Sequence, residues 1–177
     1  MIDPDYAAMP PLMARAVELL LGELARGVAE DPPGSNRGEA VDRYLRGRRG
    51  DGEWLIKYSR QGVTAADGWH GAPWCARFCL WGVEGAGADL GTAPPCAGWG
   101  GLASGLKWLD RADGNGRRAD SPAPGRVGVV HTGTTWHTVI IARVEGERVW
   151  SIEGNHGDRV AWVERAAGVF TGFVDLG

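Results

Sequence analysis

Cys75 is the residue best placed for chemistry in this sequence. It follows Pro73 and Trp74 and opens a segment in which aromatic residues recur every three or four positions, which predicts a buried helix beginning near the cysteine. At the first turn of a helix, unpaired backbone N–H groups and the helix dipole stabilise a thiolate and lower the thiol pKa. Cys75 is therefore a candidate nucleophile, although most cysteines are simply small buried residues.

His137 is the candidate base. It follows a loop over residues 132–136 and opens a predicted strand, where a histidine facing a helix N-terminus can accept a thiol proton. If residues 145–147 form a three-residue hairpin loop, Asn155 lies opposite His137, and Glu153 falls on the same face of the sheet. Either Glu153 or Asn155 could then orient the imidazole. A change of one residue in loop length would reverse this relation.

Tryptophans outside the periodic segments are candidate substrate contacts. The chain contains nine tryptophans, several of them in predicted loops or at the ends of elements. Glycans and peptides pack well on aromatic faces, so we expect aromatic side chains to border a cleft, against the alternative that they complete the core. The predicted substrate contacts are Trp69, Trp74, Trp99, Trp136 and His156.

The remaining thiols and histidines predict neither a metal nor a cofactor. Cys79 lies one helical turn after Cys75 and could pair with His70, but this spacing without a second ligand pair is a weak zinc signal. The stretch before Cys75 offers Asp67 and few other oxygen ligands, whereas calcium takes about six to eight. Cys96 follows two prolines and is expected in a loop or in the core.

The elements that must position these residues change in kind along the chain. Helical periodicity predicts helices over 10–26, from Trp74 onward and around 102–109. A further short helix is predicted with Asn36 as its N-cap. Strand-like alternation begins at Arg126. This order predicts an α+β domain in which N-terminal helices pack on a C-terminal antiparallel β-sheet. The predicted strands are 127–130, 138–144, 148–152, 160–163 and 170–174.

Composition bounds the class of protein. The 177 residues, 23% charged and 44% hydrophobic, are typical of one soluble globular domain, which we expect to be a monomer. A net charge of −3 without a dense basic block gives no basis for nucleic-acid binding. The absence of an apolar stretch of about 18 residues argues against membrane insertion. Three cysteines without disulfide-like spacing leave a reduced thiol available.

Taken together, four segments resemble the CHAP peptidoglycan hydrolases, which are relatives of the NlpC-type and papain-like cysteine peptidases. The segments are Gly-Ser-Asn-Arg-Gly at 34–38, Pro-Trp-Cys-Ala-Arg-Phe at 73–78, His-Thr-Val-Ile-Ile at 137–141 and Ile-Glu-Gly-Asn at 152–155. The likeness implies a papain-like catalytic domain of the phage endolysin type over residues 31–177, preceded by a helical extension over residues 1–30.

The resemblance also implies roles for individual residues. Cys75 would attack, His137 would transfer protons, and Glu153 would orient His137. Asn155 would assist this orientation or polarise the scissile carbonyl. The substrate would be bacterial peptidoglycan, cut without a cofactor at an amide of the stem or cross-bridge, by an endopeptidase or an N-acetylmuramoyl-L-alanine amidase. Many relatives carry Pro-Gly-Asp before the first sheet strand, whereas Arg126 stands here in place of the aspartate.

Two other readings remain open at this point. The chain could be a catalytically silent wall-binding module, or a cysteine hydrolase of amides outside the cell wall, since fold and triad do not fix the substrate. No signal peptide is evident in the first residues. We therefore expect synthesis in the cytoplasm and action on the wall after holin-type or other non-Sec release.

Overall fold

The fold is α+β, as the order of sequence patterns predicts. A computed structural model describes residues 3–46, 73–97, 99, 102 and 104–177. The described helices are α1 (Pro11–Ala25), α2 (Glu39–Arg46), α3 (Cys75–Asp89) and α4 (Gly105–Gly114). The described strands are β1 (Arg118–Ala119), β2 (Val127–His131), β3 (Trp136–Glu145), β4 (Arg148–Glu153), β5 (Ala161–Ala166) and β6 (Phe170–Val174).

The six described strands form one antiparallel sheet. Their order is β1-β6-β2-β3-β4-β5, so β2 and β3 lie at its centre. Five of the strands match the predicted segments, with differences of a few residues at their ends. Strand β1 was not predicted, because a strand of two residues is too short to show any alternation.

The core joins α1 to the helix that carries Cys75. The buried positions Met13, Ala16, Val17 and Leu20 of α1 recur at helical spacing and belong to the same apolar cluster as Cys75. Contact between α1 and α3 is close: a Cβ placed on Gly82 would lie 2.7 Å from Leu20 Cδ2. The residues before position 31 therefore contribute to the packing that supports the helix carrying Cys75.

The β3–β4 hairpin has a shorter loop than predicted, but the predicted register is kept at the end of the strands near the site. Glu145 pairs with Arg148, so the loop has two residues and the predicted three-residue loop is wrong. Gly146 has a φ of 57°, which suits the tight two-residue turn. A bulge between Ile141 and Arg143 then adds one residue to β3. Beyond it, Ile140 pairs with Ile152, which is the register that the predicted loop would have produced.

One predicted helix start differs in the structure. Asn36 is not an N-cap, because α2 begins at Glu39 and Asn36 has a φ of 51°. The helix that carries Cys75 continues through several glycines to Asp89. At Gly87 the absence of a side chain permits close packing, since a Cβ there would meet the carbonyl oxygen of Thr92 at 2.7 Å. None of the helices in the described part of the chain is long and apolar enough to cross a bilayer.

Candidate active site

Cys75 is the first residue of α3 and faces the start of β3. Its side chain is 6% exposed, and its Sγ atom lies 4.0 Å from the carbonyl oxygen of Trp136. The preceding residue, Trp74, is fully buried, and its Nε1–H donates to Glu30 Oε1 at 2.9 Å. This hydrogen bond and the surrounding aromatic side chains hold the start of α3 in place, which fixes the thiol next to the sheet.

The Cys75 thiol and the His137 imidazole interact electrostatically, and each shifts the pKa of the other. Burial raises the pKa of Cys75, but the His137 hydrogen bond and charge and the backbone N–H groups of Thr138 and Ala76 lower it below its ordinary value. Burial lowers the pKa of His137, but Cys75 and Glu153 outweigh it and raise this pKa to about 9. These opposite shifts favour a thiolate–imidazolium pair near neutral pH.

Glu153 is fully buried and holds the far side of the imidazole. Its Oε2 atom lies 2.8 Å from His137 Nε2. Burial raises the pKa of Glu153, but the Arg165 and His137 hydrogen bonds and charges outweigh it and lower this pKa to about 2. Glu153 is therefore ionised and accepts a hydrogen bond from the protonated Nε2 of His137. Because Nε2 is engaged in this way, Nδ1 is the ring nitrogen left for the thiol.

Two partners of Glu153, Arg165 and Ser151, were not predicted from the sequence. Arg165 donates to both carboxylate oxygens at 2.7 Å, and Ser151 Oγ donates to Oε1 at 2.7 Å. Ser151 could have been found, because strand alternation places it on the same face as Glu153. Arg165 could not, because its pairing with Val149 depends on the length and path of the connection from β4 to β5.

Asn155 lies beside the site and bonds to Asn36. Its φ of 59° places it in the left-handed region, and its Nδ2 donates to Asn36 Oδ1 at 3.0 Å. The orienting contact to the imidazole is therefore made by Glu153, and Asn155 connects the sheet to the segment before α2. Asn155 and Asn36 are both half-buried.

His156 completes the polar group around Glu153. Its Nδ1 lies 3.2 Å from Glu153 Oε2, and its side chain is 43% exposed. Ligand atoms of His137, Glu153 and His156 lie within 4.8 Å of one another, so this group of described residues could hold a metal ion. Arg165 already binds both oxygens of Glu153, and its positive charge opposes a cation there.

The predicted aromatic contacts have different fates. Trp74 is wrong as a substrate contact, because its ring is fully buried against Tyr44 and Phe78. Trp99 and Trp136 are half-buried and pack on the core. Trp136 directly precedes His137 in β3, and its ring centroid lies 4.6 Å from that of His131. Trp69, like His70 and Asp67, lies outside the described residues.

The other two thiols are less suited to chemistry than Cys75. Cys79 is fully buried, with Sγ 3.5 Å from the carbonyl oxygen of Thr138, and burial together with the nearby Cys75 and Glu153 holds its pKa well above the ordinary value. Burial and nearby Glu84 raise the pKa of Cys96 to about 12. Of the three cysteines, Cys75 alone has a lowered pKa.

Arg126 has a structural partner away from this site. Its guanidinium donates to Asp175 Oδ2 at 2.9 and 3.1 Å and to the carbonyl oxygen of Ser121 at 2.9 Å. The arginine that replaces the aspartate of Pro-Gly-Asp therefore ties the start of β2 to the segment after β6.

No family model matches the chain, and neither the curated proteins nor the solved structures contain a match.

Proposed function

We propose that this protein is a cysteine hydrolase that cleaves an amide bond of bacterial peptidoglycan. The observation that carries the hydrolase part is the contact series from Cys75 through His137 to Glu153. A nucleophile, a proton-transfer group that interacts with it and an ionised orienting group hydrogen-bonded to that second group are the parts that acyl transfer needs. A cysteine opening a helix against a histidine at a strand start also supports a papain-like arrangement.

The reaction follows from these contacts. The Cys75 thiolate attacks the amide carbonyl carbon, and the carbonyl oxygen becomes an oxyanion. The His137 imidazolium then gives its Nδ1 proton to the amine as the C–N bond breaks, leaving a thioester. Neutral His137 takes a proton from water, the hydroxide attacks the thioester, and the C–S bond breaks to release the acid and the thiolate. Glu153 keeps the imidazole oriented throughout, with its proton on Nε2.

The choice of peptidoglycan rests on the resemblance of the four sequence segments to CHAP hydrolases. Partly exposed Trp99 and Trp136 offer aromatic surface of the kind on which glycan and peptide pack. Both an endopeptidase and an N-acetylmuramoyl-L-alanine amidase use the chemistry described above.

The test is mass spectrometry of purified peptidoglycan digested by the wild-type protein, by Cys75→Ala and by Cys96→Ala. The matched control is Cys96→Ala, because it removes a buried thiol that takes no part in the proposed reaction. We expect the wild type and Cys96→Ala to release the same fragments and Cys75→Ala to release none. The fragment masses then identify the bond that is cut.

Two outcomes would overturn the proposal. If no protein releases fragments from any wall type but the wild type hydrolyses other amides, the substrate is not peptidoglycan. If the wild type and Cys75→Ala bind purified peptidoglycan equally and neither cleaves it, the chain is a wall-binding module without catalysis.

A further inference from the structure

Acyl transfer at Cys75 requires hydrogen-bond donors for the oxyanion. Removal of one such donor in other acyl-transfer enzymes slows catalysis by about 10²- to 10³-fold, so the donors contribute much of the rate. The backbone N–H of Cys75, at the start of α3, offers one donor. A second donor must come from a group held near the same face of the nucleophile.

Asn36 is tied to the nucleophile through a buried carboxylate. Its backbone N–H donates to Glu30 Oε2 at 2.7 Å, and the other oxygen of Glu30 accepts the hydrogen bond from Trp74 Nε1 at 2.9 Å. Glu30 is 5% exposed, so both contacts lie in a shielded environment where hydrogen bonds are strong. Asn36 is thereby anchored beside the residue that precedes Cys75.

Asn36 is also tied to the base side of the site. Its Oδ1 accepts from Asn155 Nδ2, and Asn155 follows the Glu153 that orients the imidazole. The register of β3 and β4, continued past their last pair, brings Asn155 opposite His137. A closed circuit of contacts therefore surrounds the site. On one side it runs from Cys75 and Trp74 through Glu30 to Asn36. On the other side it runs from Asn36 through Asn155 to the strand end that carries Glu153, and back through His137.

These contacts leave the side-chain amide nitrogen of Asn36 as the atom that can still donate a hydrogen bond. Oδ1 is used by Asn155 and the backbone N–H by Glu30. Across residues 3–46, 73–97, 99, 102 and 104–177, no hydrogen-bond acceptor is found for Asn36 Nδ2. The amide is half-buried, and its left-handed φ of 51° is one that asparagine tolerates better than most residues.

We propose that the side-chain amide nitrogen of Asn36 donates the second hydrogen bond to the oxyanion formed at Cys75, with Glu30 and Asn155 as its positioning residues. The inference rests on acyl transfer as the proposed reaction, and it does not depend on peptidoglycan as the substrate.

The experiment separates acylation of Cys75 from its alkylation. Acylation by p-nitrophenyl acetate passes through an oxyanion, whereas alkylation by iodoacetamide attacks a tetrahedral carbon and forms none. Asn36→Gly removes the amide while keeping the positive φ free of strain. Asn36→Asp keeps the shape and an oxygen for Asn155, and carries the test if Asn36→Gly does not fold. Asp158→Gly is the matched control, at another residue with positive φ, 63°.

For both Asn36 variants we expect acylation to slow by about 10²-fold, with alkylation within about twofold of the wild type. Asp158→Gly should change neither rate. Acylation and alkylation slowing together would overturn the proposal, because Asn36 would then only position the thiol. An unchanged acylation rate would also overturn it. An alkylated wild type without acylation would refute acyl transfer itself, whereas acylation without release of wall fragments would refute only the substrate.

Discussion

The carboxylate of Glu153 lies between His137 and Arg165, with Oε2 2.8 Å from the imidazole Nε2 and 2.7 Å from the guanidinium Nη2. Arg165 therefore supplies the positive charge that keeps Glu153 ionised when His137 is neutral. The same carboxylate also stabilises the imidazolium form of His137. Because Arg165 already neutralises part of this negative charge, it limits how strongly Glu153 raises the pKa of His137. The proton on His137 is thus held firmly, but can still be transferred during a reaction.

Glu153→Gln should damage both stability and thiol reactivity. The change leaves Arg165, which is 22% exposed, without its anionic partner, so we expect a loss of about 3 kcal/mol in the free energy of unfolding. It also removes the charge that favours the imidazolium, so iodoacetamide should alkylate Cys75 more slowly at pH 7. Urea denaturation and mass spectrometry measure the two effects.

The control for this change is Ser151→Ala. It removes one hydrogen bond to Glu153 Oε1 but leaves both ion-pair partners, so it should cost about 1 kcal/mol and leave alkylation nearly unchanged. Equal effects of the two substitutions on alkylation would contradict the electrostatic role of Glu153.

Alkylation should distinguish the three cysteines. At pH 7 and with a limiting amount of iodoacetamide, we expect modification at Cys75 alone, because its pKa is lowered while those of Cys79 and Cys96 are raised. Peptide mapping of the folded protein measures this directly. Denatured protein is the control and should react at all three positions. Early modification of Cys96 in the folded protein would contradict the assignment.

The pH dependence of Cys75 alkylation should reveal His137. In the wild type we expect reactivity to persist below the ordinary cysteine pKa, because the imidazolium stabilises the thiolate until it loses its proton near pH 9. In His137→Ala the stabilising charge is absent while burial remains, so the apparent pKa should rise to the ordinary value or above it. An unchanged alkylation profile in His137→Ala would exclude the ion pair.

Acid should weaken the folded state partly through Glu153. The pKa of this carboxyl falls from an ordinary value of 4.5 to about 2 in the folded protein. A lowered pKa contributes stability that is fully present above about pH 4.5 and is lost as the pH falls towards 2. Urea denaturation between pH 5 and pH 3, run beside Glu153→Gln, should show a steeper fall for the wild type. Parallel curves would mean that Glu153 does not titrate in this way.

Local sequence signals were enough to predict that Cys75, His137 and Glu153 lie together. Cys75 stood at a predicted helix start and His137 at a predicted strand start, and alternation along β4 placed Glu153 on the face of His137. The predicted length of the β3–β4 loop is wrong, but a bulge at Ala142 restores the predicted register of the two strands. Arg165 and the contact between Asn36 and Asn155 depend on how distant segments meet, which periodicity does not encode.

Gly154 should tolerate no side chain, because it lies where the sheet meets the helix that carries Cys75. A Cβ at this position would lie 2.6 Å from Phe78 Cβ and 2.8 Å from Trp74 Cζ3, both in the buried core. Gly154→Ala should therefore force α3 away from β4, lower the free energy of unfolding by about 1 to 3 kcal/mol and slow alkylation of Cys75.

The matched control is Gly22→Ala in α1, where nothing lies within 4 Å of the added methyl group. There, alanine should add about 0.5 to 1 kcal/mol of stability and leave the thiol unchanged. Urea denaturation of both variants measures the difference, and a Gly154→Ala protein as stable and reactive as the wild type would show that the close approach of Gly154 to α3 does not position Cys75.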